Sequence, residues 1–319
     1  MIRAPRSVAL AACLLAAPAM GAADDGSVWL ERMSRALDTA SYVGEFHLEG
    51  RGYSERMQIV HCVRDGRVSE RLVSLSGAGR ELVRDGDEVT AYLPDKKLAI
   101  IERRPERDGL LGVLPRYGEE LHRWYEVRLE TREPELNGRP AAVVSVRPRD
   151  GFRFGHRLWI DEATGMPVRT ELLDAEGQVV ERLRFTRLEL RDDIQDSSLQ
   201  PSVDKTQFRW VRQAAHVPGE AAAWNVRQPP PGFRLSASSV KDIAGVPSPV
   251  NQLVLSDGLA SVSVFIHAPA SGRQPATGAG RAGAASTFST MVEGQQVTAV
   301  GEVPPQTLKA IVNSIVRQD

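Results

Sequence analysis

The chain is 319 residues long, with 40 basic and 41 acidic residues, a formal charge of −1 and 42% hydrophobic residues. That near-neutral balance offers no bulk attraction for nucleic acid, and two cysteines are too few for a disulfide scaffold. A chain of this size builds its core from apolar burial, most naturally as two domains.

Arg3 and Arg6 precede an apolar run from Val8 to Ala17, and the small residues Gly21, Ala22 and Ala23 follow. This is the pattern of a secretory signal peptide over residues 1–23. Leu10-Ala11-Ala12-Cys13 has the outline of a lipoprotein acylation site, but the apolar stretch before Cys13 is short and a longer one follows it, so Cys13 is assigned to the signal. Cleavage near Ala23 would leave 38 basic against 41 acidic residues, a charge of −3, and Cys62 as the remaining cysteine. No other apolar run approaches the roughly 20 residues of a membrane span. The expected product is exported and soluble.

Residues 24–191 read as the first domain. From Ser27 to Ala40, helical spacing places Trp29, Leu30, Met33, Ala36 and Leu37 on one face. Extended runs follow, separated by Asp65-Gly66, Asp85-Gly86, Asn137-Gly138 and Glu176-Gly177, and predict one antiparallel sheet of about ten strands. Adjacent apolar residues recur in these runs, at Ile59-Val60, Ile100-Ile101, Val143-Val144, Leu172-Leu173 and Val179-Val180. A sheet with one wet face would alternate, so both faces are expected to be covered. Covering loops, Leu110 to Tyr117 among them, and an apolar ligand cavity explain this equally well.

DGFRFGHRLWIDEATGMPVR, Asp150 to Arg169, is predicted as a strand, a turn at Gly165 and a second strand opened by Pro167. At a period of two, Phe152, Phe154, His156, Leu158 and Ile160 share one face, while Arg153, Arg157 and Trp159 share the other. His156 therefore reads as a sheet residue, with no serine, cysteine or second histidine spaced to complete a catalytic site. Arg153 and Arg157, with Arg147, Arg149 and Arg169 near them, form a patch suited to phosphate or carboxylates. A solvated face balanced by Asp161, Glu162 and Glu171 is the simpler reading.

Residues 192–220 are polar and turn-rich and read as a linker. Residues 221–319 hold seven basic and five acidic residues in 99, about half the charge density of the whole chain, and read as a second, mostly extended domain. It closes on a helix with Leu308, Ile311, Val312, Ile315 and Val316 on one face. Gly278 to Gly283, GAGRAG, fits the dinucleotide fingerprint in letters, but no strand leads into it and no helical pattern leaves it, so a flexible loop is expected. HExxH, GxSxG, CxxC and Walker-type motifs are absent, and no catalytic residue, cofactor or metal site is assigned. His61 and Cys62 would point to opposite faces of a strand and cannot share an ion easily.

Four segments together are similar to the RseB/MucB family of envelope-stress regulators. They are VRPRDGFRFGHRLWIDEATGMPVRTELLDAEGQVVERLRF, PPPGFRLS, SDGLASVSVFI and VTAVGEVPPQTLKAI. The resemblance implies an α+β fold: a large curved antiparallel sheet, a LolA-like half-barrel with helices in its concavity, and a smaller antiparallel C-terminal sheet covered by a helix. It also implies a periplasmic, non-enzymatic binding protein that holds the periplasmic domain of a RseA/MucA-type anti-sigma factor and shields it from proteolysis. Release by lipopolysaccharide or a lipoprotein acyl chain, and homo-oligomer formation, follow from the same resemblance, with a lipid or lipoprotein carrier as the alternative. The resemblance tips the open choice toward a cavity. Val60, Val144 and Leu172 become the expected lipid-facing residues, and Arg153, Arg157 and Trp159 the expected headgroup or partner contacts.

Overall fold

The computed structural model describes residues 25–77, 79–103, 110–111, 118, 120–212, 223–241, 246, 248–269 and 274–318. The predicted signal peptide, residues 112–117 and residues 213–220 lie outside them. Helix α1 (Ser27–Thr39) opens the described chain, and the Ser27 N–H donates to the Asp25 carboxylate at 2.9 Å. A large sheet follows, made of β1 (Tyr42–Gly50), β2 (Tyr53–Arg64), β3 (Arg67–Ser74), β4 (Glu81–Asp85), β5 (Glu88–Leu93) and β6 (Leu98–Arg103). It continues, after the single turn α2 (Leu121–Trp124), with β7 (Tyr125–Pro134), β8 (Pro140–Pro148), β9 (Gly155–Asp161), β10 (Pro167–Leu173), β11 (Val179–Leu190) and β12 (Arg209–Arg212).

These elements form one 12-stranded sheet in the order β12-β6-β5-β4-β3-β2-β1-β11-β10-β9-β8-β7. Hairpins run from both ends toward the β1–β11 pair, which joins the two halves. Every pairing is antiparallel except β12 on β6. The turns are where glycine and Asn/Asp chemistry places them: Asp65 and Asn137 take positive φ ahead of glycines that do the same.

The inner face of the sheet packs on α1. Leu30, Met33 and Leu37 join Tyr42, Phe46, Ile59, Leu158, Ile160 and Leu183 in one core, each side chain contributing about 1.5–3 kcal/mol on burial. Leu111 belongs to this core and Leu110 packs against it, so the start of the Leu110–Tyr117 stretch does cover the sheet. The Leu110 N–H is held by Glu70 at 2.9 Å, inside a buried network of His61, Glu70 and Arg84. His61 stacks on Tyr42 while Cys62 faces the other way, under different cover.

That other cover explains half of the doubly apolar strands. Residues 192–208, read as linker, run as a strap across the outer face of β1–β6: Ile194 and Leu199 bury against Val60, Cys62 and Val43. Ser202 donates through both its N–H and its hydroxyl to Glu81. The strap then enters the sheet as β12. Over β10 and β11 the second domain extends the cover of the inner face instead: Leu172, on the same face as Leu158 and Leu183, clusters with Val180, Phe154 and Ala284.

The second domain holds β13 (Trp224–Val226), β14 (Arg234–Lys241), β15 (Val250–Ser256), β16 (Ser261–His267), β17 (Gly278–Ala282), β18 (Ala285–Val292), β19 (Gln295–Gly301), helix α3 (Pro305–Asn313) and β20 (Ile315–Arg317). Six strands pair in the order β14-β15-β16-β19-β18-β17, and β13 pairs with β20. α3 lays Leu308, Ile311 and Val312 on Leu253, Val264, Val297 and Ala299, so a small sheet covered by one helix is what forms. GAGRAG corrects the expectation of a flexible loop: Gly278–Ala282 is an edge strand on β18, because backbone pairing needs no side chains.

Candidate functional site

The two domains meet where the quoted stretch begins. Asp150 to Phe154 is a turn, not the first half of a strand: β9 starts at Gly155, and the Phe152 N–H bonds the Asp150 carboxylate at 2.9 Å. Strand parity therefore does not apply to Arg153, which is 1% exposed and points into the domain interface instead of joining an open patch. Its guanidinium reaches Asp257 of the second domain at 2.5 Å, Asp150, and the Pro231 carbonyl at 2.5 Å. The ring faces of Trp124, Tyr125 and Phe233 enclose it at 4.9, 5.8 and 5.0 Å. Tyr125 donates to the same Asp257 oxygen at 3.0 Å, and burial followed by the Asp257 charge pushes its phenol well above the usual range.

The sequence around Asp257 is built to aim it. Its second oxygen accepts the Leu259 and Ala260 N–H groups at 2.9 and 2.7 Å, closing the Asp257-Gly258 turn, and Gly258 sits at φ +98°. Gly232 (φ +85°) lets the PPPG turn pass so close that an added Cβ would lie 2.5 Å from Arg153 and from Trp124. Further along, Thr307 donates to the Phe152 carbonyl at 2.7 Å and Gln306 to that of Gly151. The clamp thus ties the two domains together.

Beside the clamp the interface opens into a cavity of about 310 Å³ lined by Phe154, His156 and Leu172 from the sheet and by Leu259, Val300 and Glu302 from the second domain, among others. Burial holds the His156 imidazole down to about 4, with Asp257 acting weakly the other way. Burial, and then the Glu181 charge, push the Glu302 carboxyl up to about 7. Glu181 is itself raised by burial, and Tyr53 donates to it. Glu302 thus shares this cavity's margin with a second acid, Glu181, beside an imidazole held neutral.

Two of the six sequence-chosen contacts come together here, Arg153 in the clamp and Leu172 at the cavity. The other four do not. Val60 lies beneath the strap, and Val144 is fully buried in the core and presents no surface to a lipid. Trp159 is 4% exposed, donates to Glu133 and lies under Arg169 at 4.0 Å. Arg157 pairs with Glu130 at 3.3 Å. The outer face of β9–β11 is a charge ladder: Arg182 bonds Glu171 at 2.8 Å, Arg169 bonds Glu171 at 2.6 Å, and Arg184 bonds Glu135 at 2.6 Å. The face is balanced, but not solvated as expected: Asp161 and Glu171 are buried under the arginines that pair with them.

Asp257, Tyr125, Glu181 and Glu302 were missed as interface groups. The signal for Asp257 was present as Asp-Gly, but a turn signature does not say what else its carboxylate holds. Among the described residues no three His, Cys, Asp or Glu side chains converge as metal ligands, and no helix is long and apolar enough to cross a membrane.

Fold and site together define a two-domain α+β protein whose distinctive feature is the contact between its domains. Residues 25–203 match the MucB/RseB N-terminal domain and residues 218–316 the MucB/RseB C-terminal domain. The chain belongs to the MucB/RseB family. It is 36% identical over 315 residues to the sigma factor AlgU regulatory protein MucB of Pseudomonas aeruginosa, covering 95% of this chain and 94% of that one. It is 27% identical over 306 residues to the sigma-E factor regulatory protein RseB of Escherichia coli K12, covering 94% and 91%. Among solved structures, the complex of Pseudomonas aeruginosa MucA and MucB aligns with TM-score 0.72 at 31% identity, covering 92% of this chain and 99% of the matched chain. MucB in complex with MucA(peri) aligns with TM-score 0.71 at 32% identity, covering 92% and 100%.

Proposed function

We propose that this protein is a periplasmic regulatory binding protein that captures the periplasmic domain of a MucA-type anti-sigma factor, shields it from proteolysis and lets it go when an amphipathic lipid or lipoprotein binds. The observation that carries the reading is similarity over almost the full length to a MucB solved in complex with MucA. Two further features support it. Arg153, Tyr125 and Asp257 use their hydrogen bonds to hold one domain to the other, which fits a protein that works through the relation between its domains. The interface also sets an open cavity, lined by Glu302 and His156, against the Arg153–Asp257 clamp, which places space for a ligand at the contact between the domains.

A segment that prefers one domain arrangement and a lipid that prefers another lower each other's affinity by the same factor. The lipid's place is the interdomain cavity, lined by apolar residues such as Phe154 and Leu172 together with polar ones such as His156 and Glu302, rather than the packed core around Val144. The test is limited proteolysis of the periplasmic anti-sigma domain with one equivalent of this chain. Protection that is lost on adding lipopolysaccharide supports the full cycle; protection indifferent to lipid removes the release step, and no protection removes the reading.

A further inference from the structure

β12 closes the large sheet at one end, and among the described residues nothing pairs with its outer side. The Arg209 N–H donates to the Lys97 carbonyl at 2.8 Å, in parallel register with β6. Amide direction alternates along a strand, so Arg209 and Val211 bond inward while the N–H and C=O groups of Trp210 and Arg212 point away from the sheet. The opposite edge is guarded: β7 carries a bulge between Leu129 and Thr131 and an exposed, charged second half. β12 has no such bulge.

Beside this edge the strap and the outer face of the sheet enclose a cleft of about 560 Å³. Val83, Ile101 and Tyr92 line it from the sheet, and Leu199 and Trp210 from the strap and β12. Tyr92 meets Phe208 and Trp210 edge-on, with ring centroids 5.7 and 5.9 Å apart, so the aromatic wall is held in place. Trp210 nonetheless remains 45% exposed, a large ring left uncovered next to an unpaired backbone.

Charge narrows the occupant. Arg64 pairs with Asp196, Arg67 with Asp85 and Arg212 with Glu88, and these cancel. Lys96, Lys97, Lys205 and Arg209 form no ion pair among the described residues and outnumber the neighbouring carboxylates of Asp95, Glu102 and Asp204 by one, so the surroundings of the edge are net positive. In an antiparallel pair with a second copy the outward residues would face each other, Trp210 against Arg212, and the two basic surroundings would adjoin, like charge beside like.

We propose that β12 and the adjoining cleft are a docking surface for an extended, acidic segment of another protein, which adds a strand beyond β12 and places an apolar side chain against Trp210. This goes beyond the anti-sigma reading, since it fixes the conformation and charge of the segment whichever protein carries it. β-strand addition takes its affinity from main-chain hydrogen bonds and its selectivity from the pockets beside them.

The test uses the full mature chain and a fluorescent peptide of alternating Glu and Val with one central Leu. Saturable binding is expected, weakened about tenfold or more when alternate peptide amides are N-methylated, when Lys replaces Glu in the peptide, or in the Trp210→Ala variant. The exposed double variant Lys205→Glu/Arg209→Glu should reverse the preference in favour of the Lys peptide while leaving the fold intact. No binding, or equal binding of the N-methylated peptide, overturns the proposal. So does self-association that Trp210→Ala abolishes, which would assign the edge to a second copy, or displacement of the peptide by decanoate, which would assign the cleft to an acyl chain.

Discussion

Arg153 shows how much one side chain can hold. Its side chain is fully buried, and every direction around it is occupied by a carboxylate, a carbonyl or an aromatic face. Removing one partner of such a pair leaves the other charge buried, so Asp257→Ala should cost about 3–5 kcal/mol in urea unfolding, whereas replacing both partners with apolar residues should recover much of it. Glu302 and His156 make the interdomain cavity respond to pH in opposite directions. Glu302 is raised from 4.5 to about 7, so its contribution is complete below pH 4.5 and is lost as pH rises to 7. His156 is lowered from 6.5 to about 4, so its contribution is complete above pH 6.5 and is lost as pH falls to 4. Urea midpoints should therefore vary little between these limits; Glu302→Gln should leave a rise with pH, and His156→Gln a fall. Glu70 adds an acid limit of its own. Burial raises it, but His61, the Leu110 N–H and Arg84 outweigh that and hold it below the usual carboxylate range, so stability is lost as pH falls below 4.5.

At the scale of elements, the strap decides why both faces of the sheet are apolar. Ile194 and Leu199 are isolated apolar residues in a polar stretch, and they bury over Val60 and Cys62. Leu199→Ala should cost about 2–3 kcal/mol and, more tellingly, should expose the buried free thiol of Cys62, so that labelling by a disulfide reagent under native conditions accelerates. Unchanged labelling would show that the strap does not protect this face. Periodicity found the strands that carry side-chain patterns and missed this cover, because two apolar residues five apart, in turns, fit neither a period of two nor one of 3.6. It missed β17 for the converse reason, since glycine and alanine carry no pattern while their backbone pairs as well as any. Arg153 was misplaced because parity was extended across a turn that the Asp150 carboxylate stabilises.

For the whole molecule, what was legible was the architecture: a large sheet, a helix on its inner face, and a second small sheet with its own helix. The relation between the halves was not legible, because Arg153 and Asp257 are 104 residues apart and each looks locally sufficient, one in a charged run and the other in a turn. Their meeting joins the two domains beside an open cavity, and the function proposed for that body is to hold a partner. Calorimetric titration of the full mature chain with a MucA-type periplasmic anti-sigma domain, followed by mass measurement of the recovered partner, tests this most directly. The account predicts saturation at a fixed stoichiometry with the partner's mass unchanged. Absence of binding, or a partner recovered cleaved or chemically altered in a way that depends on His156, would contradict it.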